Sequence, residues 1–293
     1  MGDFYLRMAE NYGSWVVHLS VIFGLLVGSF LNVVIYRLPV MMERGWTLFA
    51  KGHLGIEPTK EELQPFSLTK PASRCPKCGN MVKPWQNIPV ISYLLLKGQC
   101  GHCHTPISIR YPAIEILTAC MFGIVAVRYG WSWLTLTGLV FTAILIALTF
   151  IDADTQYLPD ELTLSLIWLG LLANCNGNGL ISLQQSVIGA VCGYMSLRLL
   201  NALHKAVRGI DGMGGGDWKL LAALGAWLGA AALPVVVLAA AIFGIVSALI
   251  LRVRQKEPIA FGPCLAVAGW LIFIGYDKVS AGIRWWLRMS GFS

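Results

Sequence analysis

Charged residues are scarce in this chain of 293 residues, because Asp, Glu, Lys and Arg together make up only 13% of it. An ordinary soluble domain has about a quarter of its residues charged. Hydrophobic residues account for 56%, and the mean hydropathy is +0.66. This composition excludes a water-soluble globular protein and predicts an integral membrane protein in contact with a lipid bilayer.

Motifs that define several other classes of enzyme are also absent. The chain has no His-Glu-x-x-His sequence of a zinc metalloprotease, and its five His residues are scattered. The glycine cluster at 209–219 follows no strand pattern and lacks the spacing of a dinucleotide-binding loop. No internal repeat or low-complexity run is visible. These absences direct attention to the apolar segments and to the few carboxylates and cysteines.

The apolar residues form eight blocks, most of them near the roughly 20 residues that a helix needs to cross the hydrocarbon core. The blocks are 15–36, 113–129, 131–151, 162–175, 186–204, 220–232, 235–251 and 261–276. The first block lacks a small-residue cleavage site, which favours a retained helix over a removed signal. We therefore predict an all-α polytopic membrane protein with about eight transmembrane helices.

The hydrophilic segment 38–112 is expected to form a small domain between a first helical region, 1–37, and a seven-helix core, 113–293. If this domain is cytoplasmic, 17 of the 22 Lys and Arg residues lie inside and five outside. Discounting positions 60–83, which are far from the ends of a long loop, leaves twelve against five. The net charge of +7 then reflects topology and implies no nucleic-acid partner.

Two Cys-x-x-Cys pairs lie in the hydrophilic domain, separated by 21 residues. They are Cys75 with Cys78 and Cys100 with Cys103. Each pair resembles the knuckle that binds one side of a tetrahedral zinc ion. A redox or disulfide pair is the alternative, disfavoured in a reducing cytoplasm, and His102 or His104 could replace one ligand. Four thiolates would fill the zinc coordination shell, so a structural metal is predicted.

Two carboxylates stand at the ends of apolar blocks. Asp152 ends the third block, at a depth where an ionisable side chain is costly and usually marks a functional site. Asp217 precedes the sixth block and follows four glycines within five residues, an open backbone that a peptide could approach. Asp217 could instead cap a helix. Both residues are predicted at the same membrane face, where they could form a carboxylate pair of the aspartic-protease type.

With these residues assembled, the chain resembles the type IV prepilin peptidases of bacterial pilus and type II secretion systems. The resemblance rests on GSFLNVVIYRLP at 28–39, the paired cysteines, RYPAIE at 110–115, Asp152 followed by Pro159-Asp160, GGGD at 214–217 and FGP at 261–263. It implies that Asp152 and Asp217 are catalytic and that the four cysteines bind zinc.

The resemblance also implies the reaction and its partners. The enzyme would remove a short basic leader from prepilins and pseudopilins at the cytoplasmic face of the inner membrane. It would then methylate the new N-terminus with S-adenosylmethionine. Asp154 and Asp160 could assist binding of the basic leader, and Gly214 and Gly216 could contact the substrate. Asp160 could equally cap a helix start.

The residues that bind S-adenosylmethionine are not assigned by the sequence. The segment 28–39, the zinc-binding domain and Glu115 are candidate contributors to methyl transfer, but Gly28 and Ser29 could equally serve close helix packing. Glu115 could be a partner of a helix dipole. The rival function is a proton-coupled membrane transporter with a regulatory zinc module. That function predicts more charge inside the helices than this sequence has.

Overall fold

The structure is a computed structural model that describes residues 15–251 and 260–291. Within these residues the regular elements are helices, and strand-like pairing is limited to two isolated bridges, Arg74 with Met81 and Gln99 with Pro106. The predicted all-α class is therefore confirmed. The chain divides into two compact units, Met1–Val127 and Arg128–Ser293.

The first unit contains a long helix, α1, a short helix, α2, and most of a third helix, α3. Their bounds are Trp15–Leu54, Ile91–Leu95 and Arg110–Tyr129. Helix α1 continues well past residue 36, where the first apolar block ends, and Pro39 lies inside it. It therefore reaches into the segment 38–112 that the sequence assigned to the hydrophilic domain.

The polar end of α1 is joined to the segment that follows it. The Arg37 guanidinium donates to the carbonyl oxygens of Ser67 at 2.9 Å and of Pro71 at 2.7 Å. Further along, Lys51 pairs with Glu62 at 2.7 Å. The Lys51 ammonium is the main reason that the pKa of Glu62 falls to about 2. These contacts give the helix extension partners in the segment that follows it.

Helices α1 and α3 pack closely through small residues. A methyl group added at Gly24 would lie 2.7 Å from Cα of Ala119, and one added at Gly28 would lie 2.7 Å from Cα of Glu115. Contacts this short leave no room for a side chain, as is common where membrane helices pack closely. The structure thus gives Gly28 a packing role.

The second unit contains seven helices among its described residues. We label them α4 to α10, with the bounds Trp133–Thr155, Asp160–Cys175, Leu183–Arg208, Gly215–Leu228, Leu233–Leu251, Gly262–Ile274 and Tyr276–Met289. The first six fall on predicted apolar blocks. Helix α10 has no counterpart among those blocks.

Five helical segments of the described chain are long and apolar enough to cross a membrane: α1, α3, α4, α6 and the segment Ala230–Ile250, which contains all but the last residue of α8. Helices α9 and α10 would count as a sixth if taken together, although a bend of 88° separates them. Helices α5 and α7 have only 16 and 14 residues. A multi-pass membrane protein is confirmed, with five or six spans by length and composition.

Helix α7 is the centre of the second unit. Nearly all of its residues are buried. Helices α6 and α5 pack closely against it because glycines, which have no side chain, lie at the contacts. A methyl group at Gly193 would lie 2.5 Å from the carbonyl oxygen of Leu221. Trp227 of α7 donates its indole N–H to the Leu166 carbonyl of α5 at 3.0 Å, and its ring lies 4.5 Å from that of Phe141 in α4. This packing fixes the helix that carries Asp217.

Candidate active site

Asp152 lies in the last turn of α4, and its side chain is buried. The helix ends at Gln156, which adopts a left-handed conformation with φ 54° and donates its N–H to the Asp152 carbonyl oxygen at 2.8 Å. The chain then turns through the buried residues Leu158 and Pro159 into α5. In the described part of the chain, the Asp152 Oδ2 atom is buried without a hydrogen-bond partner.

Asp217 lies in the first turn of α7, which begins after Gly214 in an extended conformation. An acidic side chain there complements the positive end of the helix dipole. A methyl group at Gly216 would lie 2.5 Å from Cβ of Leu158. The absence of a side chain at residue 216 therefore lets the start of α7 pack against the turn that follows Asp152.

One cavity of about 170 Å³ receives both carboxylates. It is lined by Asp152, Gln156, Tyr157, Leu158, Asp160, Gly214, Gly215, Gly216, Asp217 and Lys219. The structure thus brings together the two aspartates that the sequence singled out. Two carboxylates in one small cavity favour a state in which the pair shares one proton.

A third helix end completes this site. Gly262 is the first residue of α9, and Pro263 follows it in the first turn, where proline is favoured. A methyl group at residue 262 would lie 2.5 Å from the Asp152 Oδ2 atom. The sequence identified the FGP motif by resemblance but gave it no role. The only signal for this contact was a glycine followed by proline at a helix start.

Asp160 and Asp154, the two acidic residues predicted to assist substrate binding, have different surroundings. Asp160 accepts two hydrogen bonds from the Lys219 ammonium, at 2.6 and 2.7 Å, and lines the cavity. This ion pair joins the start of α5 to the first turn of α7, a role that the sequence did not show. Asp154 is exposed near the end of α4 and does not line the cavity.

The two glycines predicted to contact substrate both line the cavity, but for different reasons. A methyl group at Gly214 would meet nothing closer than the Asp217 Oδ2 atom at 3.9 Å. Residue 214 is therefore an open part of the cavity wall. Gly216 faces Leu158 and is needed for packing.

The four cysteines form a candidate metal centre in the first unit. Their sulfur atoms all lie within 4.8 Å of one another, and Cys75 Sγ is 3.8 Å from Cys103 Sγ. A tetrahedron with zinc–sulfur bonds of about 2.3 Å has sulfur atoms about 3.8 Å apart. The cysteines are not joined in disulfides. The cluster contains no histidine, so the described residues offer four thiolates as the ligand set.

The two knuckles have matching backbones. Gly79 donates its N–H to the Cys75 carbonyl at 2.9 Å, and His104 donates to the Cys100 carbonyl at 3.0 Å. Both donors have positive φ, 70° and 56°. This repeated turn orients each pair of sulfurs toward one point.

Glu115 lies in the first unit and is tied to the segment before α3. Its carboxylate accepts the Val90 N–H at 2.8 Å, and its Cα lies against Gly28. Glu115 therefore links the hydrophilic segment to the packed pair α1 and α3.

The second unit has the architecture of a helical membrane protein with an acid pair at converging helix ends. Comparison with known proteins identifies the family of the chain. Residues 22–129 match the bacterial peptidase A24 N-terminal domain, and residues 139–249 match the type IV leader peptidase family. The chain belongs to the type IV leader peptidase family.

Three relatives carry the name prepilin leader peptidase/N-methyltransferase. The protein of Neisseria gonorrhoeae is 59% identical over 273 residues, covering 93% of this chain and 95% of the relative. That of Dichelobacter nodosus is 51% identical, covering 86% and 89%. That of Pseudomonas aeruginosa is 46% identical, covering 93% and 94%. No solved structure matches the chain significantly.

Proposed function

We propose that this protein is a prepilin leader peptidase and N-methyltransferase, and that Asp152 and Asp217 hydrolyse the leader peptide bond. The observation that carries the proposal is the shared cavity in which both carboxylates lie. The buried, unpartnered Asp152 Oδ2 atom supports it, because such an oxygen destabilises the fold and a catalytic role explains why it is retained. The names and the extent of the similar proteins give the reaction class.

The acid pair would act by general acid–base catalysis. One carboxylate takes a proton from water while the water oxygen attacks the scissile carbonyl. The protonated partner donates a hydrogen bond to the carbonyl oxygen and stabilises its developing negative charge. The tetrahedral intermediate then collapses, and a proton passes to the leaving amine. The water contributes oxygen to the new carboxylate of the leader, and no covalent intermediate forms.

The cavity is proposed to face the cytoplasm of a bacterial cell. The distribution of Lys and Arg residues supports this orientation, since it places the segments before α3 and α7 inside. A basic leader at this face would meet the carboxylates near the end of α4 and the start of α5. Asp160 is paired with Lys219 and lines the cavity, and Asp154 is exposed near the end of α4, so both are candidates for leader binding.

The proposed function involves two cofactors, a zinc ion and S-adenosylmethionine. The four cysteines have the donor type and spacing to hold one zinc ion, which would stabilise the fold of the hydrophilic segment. S-adenosylmethionine would supply the methyl group for the amine that cleavage exposes. No residue is assigned to its binding.

The proposal is tested with the full-length enzyme carrying Asp152→Asn or Asp217→Asn. Each variant should cleave a prepilin about 10²- to 10⁴-fold more slowly, as expected for loss of general acid–base catalysis. Methyl transfer to a pre-cleaved pilin should remain. Asp277→Asn is the matched control, because Asp277 pairs with Arg128 and follows the end of α9 that lies away from the cavity. Wild-type cleavage by either of the first two variants would refute the acid pair.

A further inference from the structure

The loop between α6 and α7 leads directly into the helix that carries Asp217. It begins at Gly209, which ends α6 in a left-handed conformation with φ 74°. Ile210, Asp211 and Gly212 are exposed to the surroundings. A glycine-rich exposed segment has high conformational entropy in the absence of specific contacts. The backbone that leads into the first turn of α7, where Asp217 lies, is therefore ordered by whatever contacts this loop.

One side chain of α6 makes three hydrogen bonds to the loop. The Asn201 Oδ1 atom accepts the N–H groups of Gly212 at 2.9 Å and Met213 at 3.2 Å. Its Nδ2 atom donates to Asp211 Oδ1 at 3.1 Å. Asn201 is only 9% exposed. Its amide is therefore oriented by three consecutive loop residues.

Two neighbours of Asn201 on the same face of α6 also contact the loop. Lys205 pairs with Asp211 Oδ2 at 2.8 Å, and His204 Nδ1 lies 3.2 Å from the Ile210 carbonyl oxygen. Lys205 and then Asn201 hold the pKa of Asp211 below its ordinary value. The Lys205 pair is exposed and contributes little by itself. We call the contacts of Asn201, His204 and Lys205 with the loop the clamp. The buried Asn201 amide is its specific part.

The clamp acts close to the catalytic residue. Met213, whose N–H is held by Asn201, precedes Gly214, after which α7 begins. Asp217 follows within the first turn. Displacement of the Met213 backbone therefore displaces the start of α7 and the carboxylate it carries. In the same turn Gly216 lies against Leu158, next to the α4 end that carries Asp152.

We infer that Asn201 is a positioning residue for the peptidase reaction, which sets Asp217 opposite Asp152 by fixing the backbone of residues 212 and 213. This inference rests on the proposed acid pair. It concerns the cleavage step alone, because Asn201 touches neither carboxylate of the pair. A shift of about 1 Å in a reacting group lowers rates by about 10²-fold.

The first test compares two apolar replacements in the full-length enzyme. Asn201→Leu removes the donor and the acceptor, and kcat for prepilin cleavage should fall about 10- to 100-fold, with KM changed by less than about threefold. Asn174→Leu is the matched control. Asn174 is also buried, and it holds the Ile181 N–H and the Ala226 carbonyl near the other end of α7. Its replacement should lower the melting temperature while the folded enzyme keeps its kcat.

The second test exchanges the two polar partners. Asn201→Asp keeps the acceptor for both N–H groups but loses the donor and places a second charge beside Asp211. Its kcat should fall, but less far than that of Asn201→Leu, because both N–H groups keep their acceptor. Adding Asp211→Asn restores the wild-type arrangement of one amide donor and one negative charge between residues 201 and 211. The double variant should therefore recover cleavage to within about threefold of wild type. Recovery of this kind shows that residues 201 and 211 act together.

Two results would overturn the inference. One is a kcat for Asn201→Leu within threefold of wild type per folded enzyme, and the other is a double variant as slow as Asn201→Asp. Failure of the proposed function is distinguishable, since it requires that Asp152→Asn or Asp217→Asn still cleaves. If both acid variants are inactive and Asn201→Leu is fast, only the positioning role is wrong.

Discussion

Replacement of Gly262 by Ala tests the geometry of the acid pair most directly. The added methyl group would lie 2.5 Å from Asp152 Oδ2 and 3.1 Å from Leu158 Cδ1. Close contacts between carbon and oxygen are about 3.3–3.6 Å. The shortfall toward Asp152 is therefore about 1 Å. It can be relieved only by moving the carboxylate or the start of α9.

The expected effect follows from that displacement. A misplacement of about 1 Å lowers the rate of an enzyme reaction by about 10²-fold, so Gly262→Ala should lower kcat for prepilin cleavage by about that factor. Methyl transfer to a pre-cleaved pilin should be retained, because the clash is with the proposed peptidase residue. Overpacking costs about 1–3 kcal/mol, so the melting temperature should also fall.

The assay is cleavage of a prepilin by purified full-length enzyme, with methylation of a mature pilin measured in parallel. Gly282→Ala is the control, because Gly282 lies within α10 and an added methyl group would have no neighbour within 4 Å. Alanine there should leave both activities unchanged and raise stability by up to about 1 kcal/mol. Cleavage by Gly262→Ala within threefold of wild type would show that the contact with Asp152 does not set its position.

Two further predictions concern the cysteines and the acidic residues near the cavity. Purified enzyme should contain one zinc ion per chain. Chelation or Cys75→Ser should make the hydrophilic segment sensitive to proteolysis, whereas resistance without zinc would contradict a structural role. Asp154→Asn and Asp160→Asn should raise KM for a basic leader more than they lower kcat, and unchanged kinetics would remove both from leader binding. Asp160→Asn should also lower the melting temperature, since it leaves Lys219 without its partner.

The sequence located the candidate catalytic carboxylates but could not establish their pairing. Asp152 and Asp217 each stand out locally, because one ends an apolar block and the other follows glycines. Their convergence depends on contacts between residues distant in the chain, such as Gly216 against Leu158 and Gly262 against Asp152. No local pattern encodes those contacts. The residues alone raised the pair as a hypothesis, the family resemblance strengthened it, and the structure supplies the shared cavity.

A search for apolar blocks did not predict where helix α1 ends or that helix α10 exists. Helix α1 continues to Leu54 although its apolar block ends near residue 36, because backbone hydrogen bonding does not require an apolar surface. Helix α10 was missed for the opposite reason. Its half-buried positions, which include Val279, Ile283 and Leu287, recur at helical spacing between charged residues and form no continuous run.

The arrangement of charges around the cavity could not be predicted from composition either. Among the described residues that line it, Lys219 is the one cation, and its charge is matched by Asp160. The acid pair is therefore left to the backbone for compensation. Helices α7 and α9 both begin at the site, with Asp217 in the first turn of one and Gly262, against Asp152, as the first residue of the other. Two helix N-termini offer partial positive charge, which suits one ionised carboxylate better than two. The arrangement thus favours the singly protonated pair that acid–base hydrolysis requires.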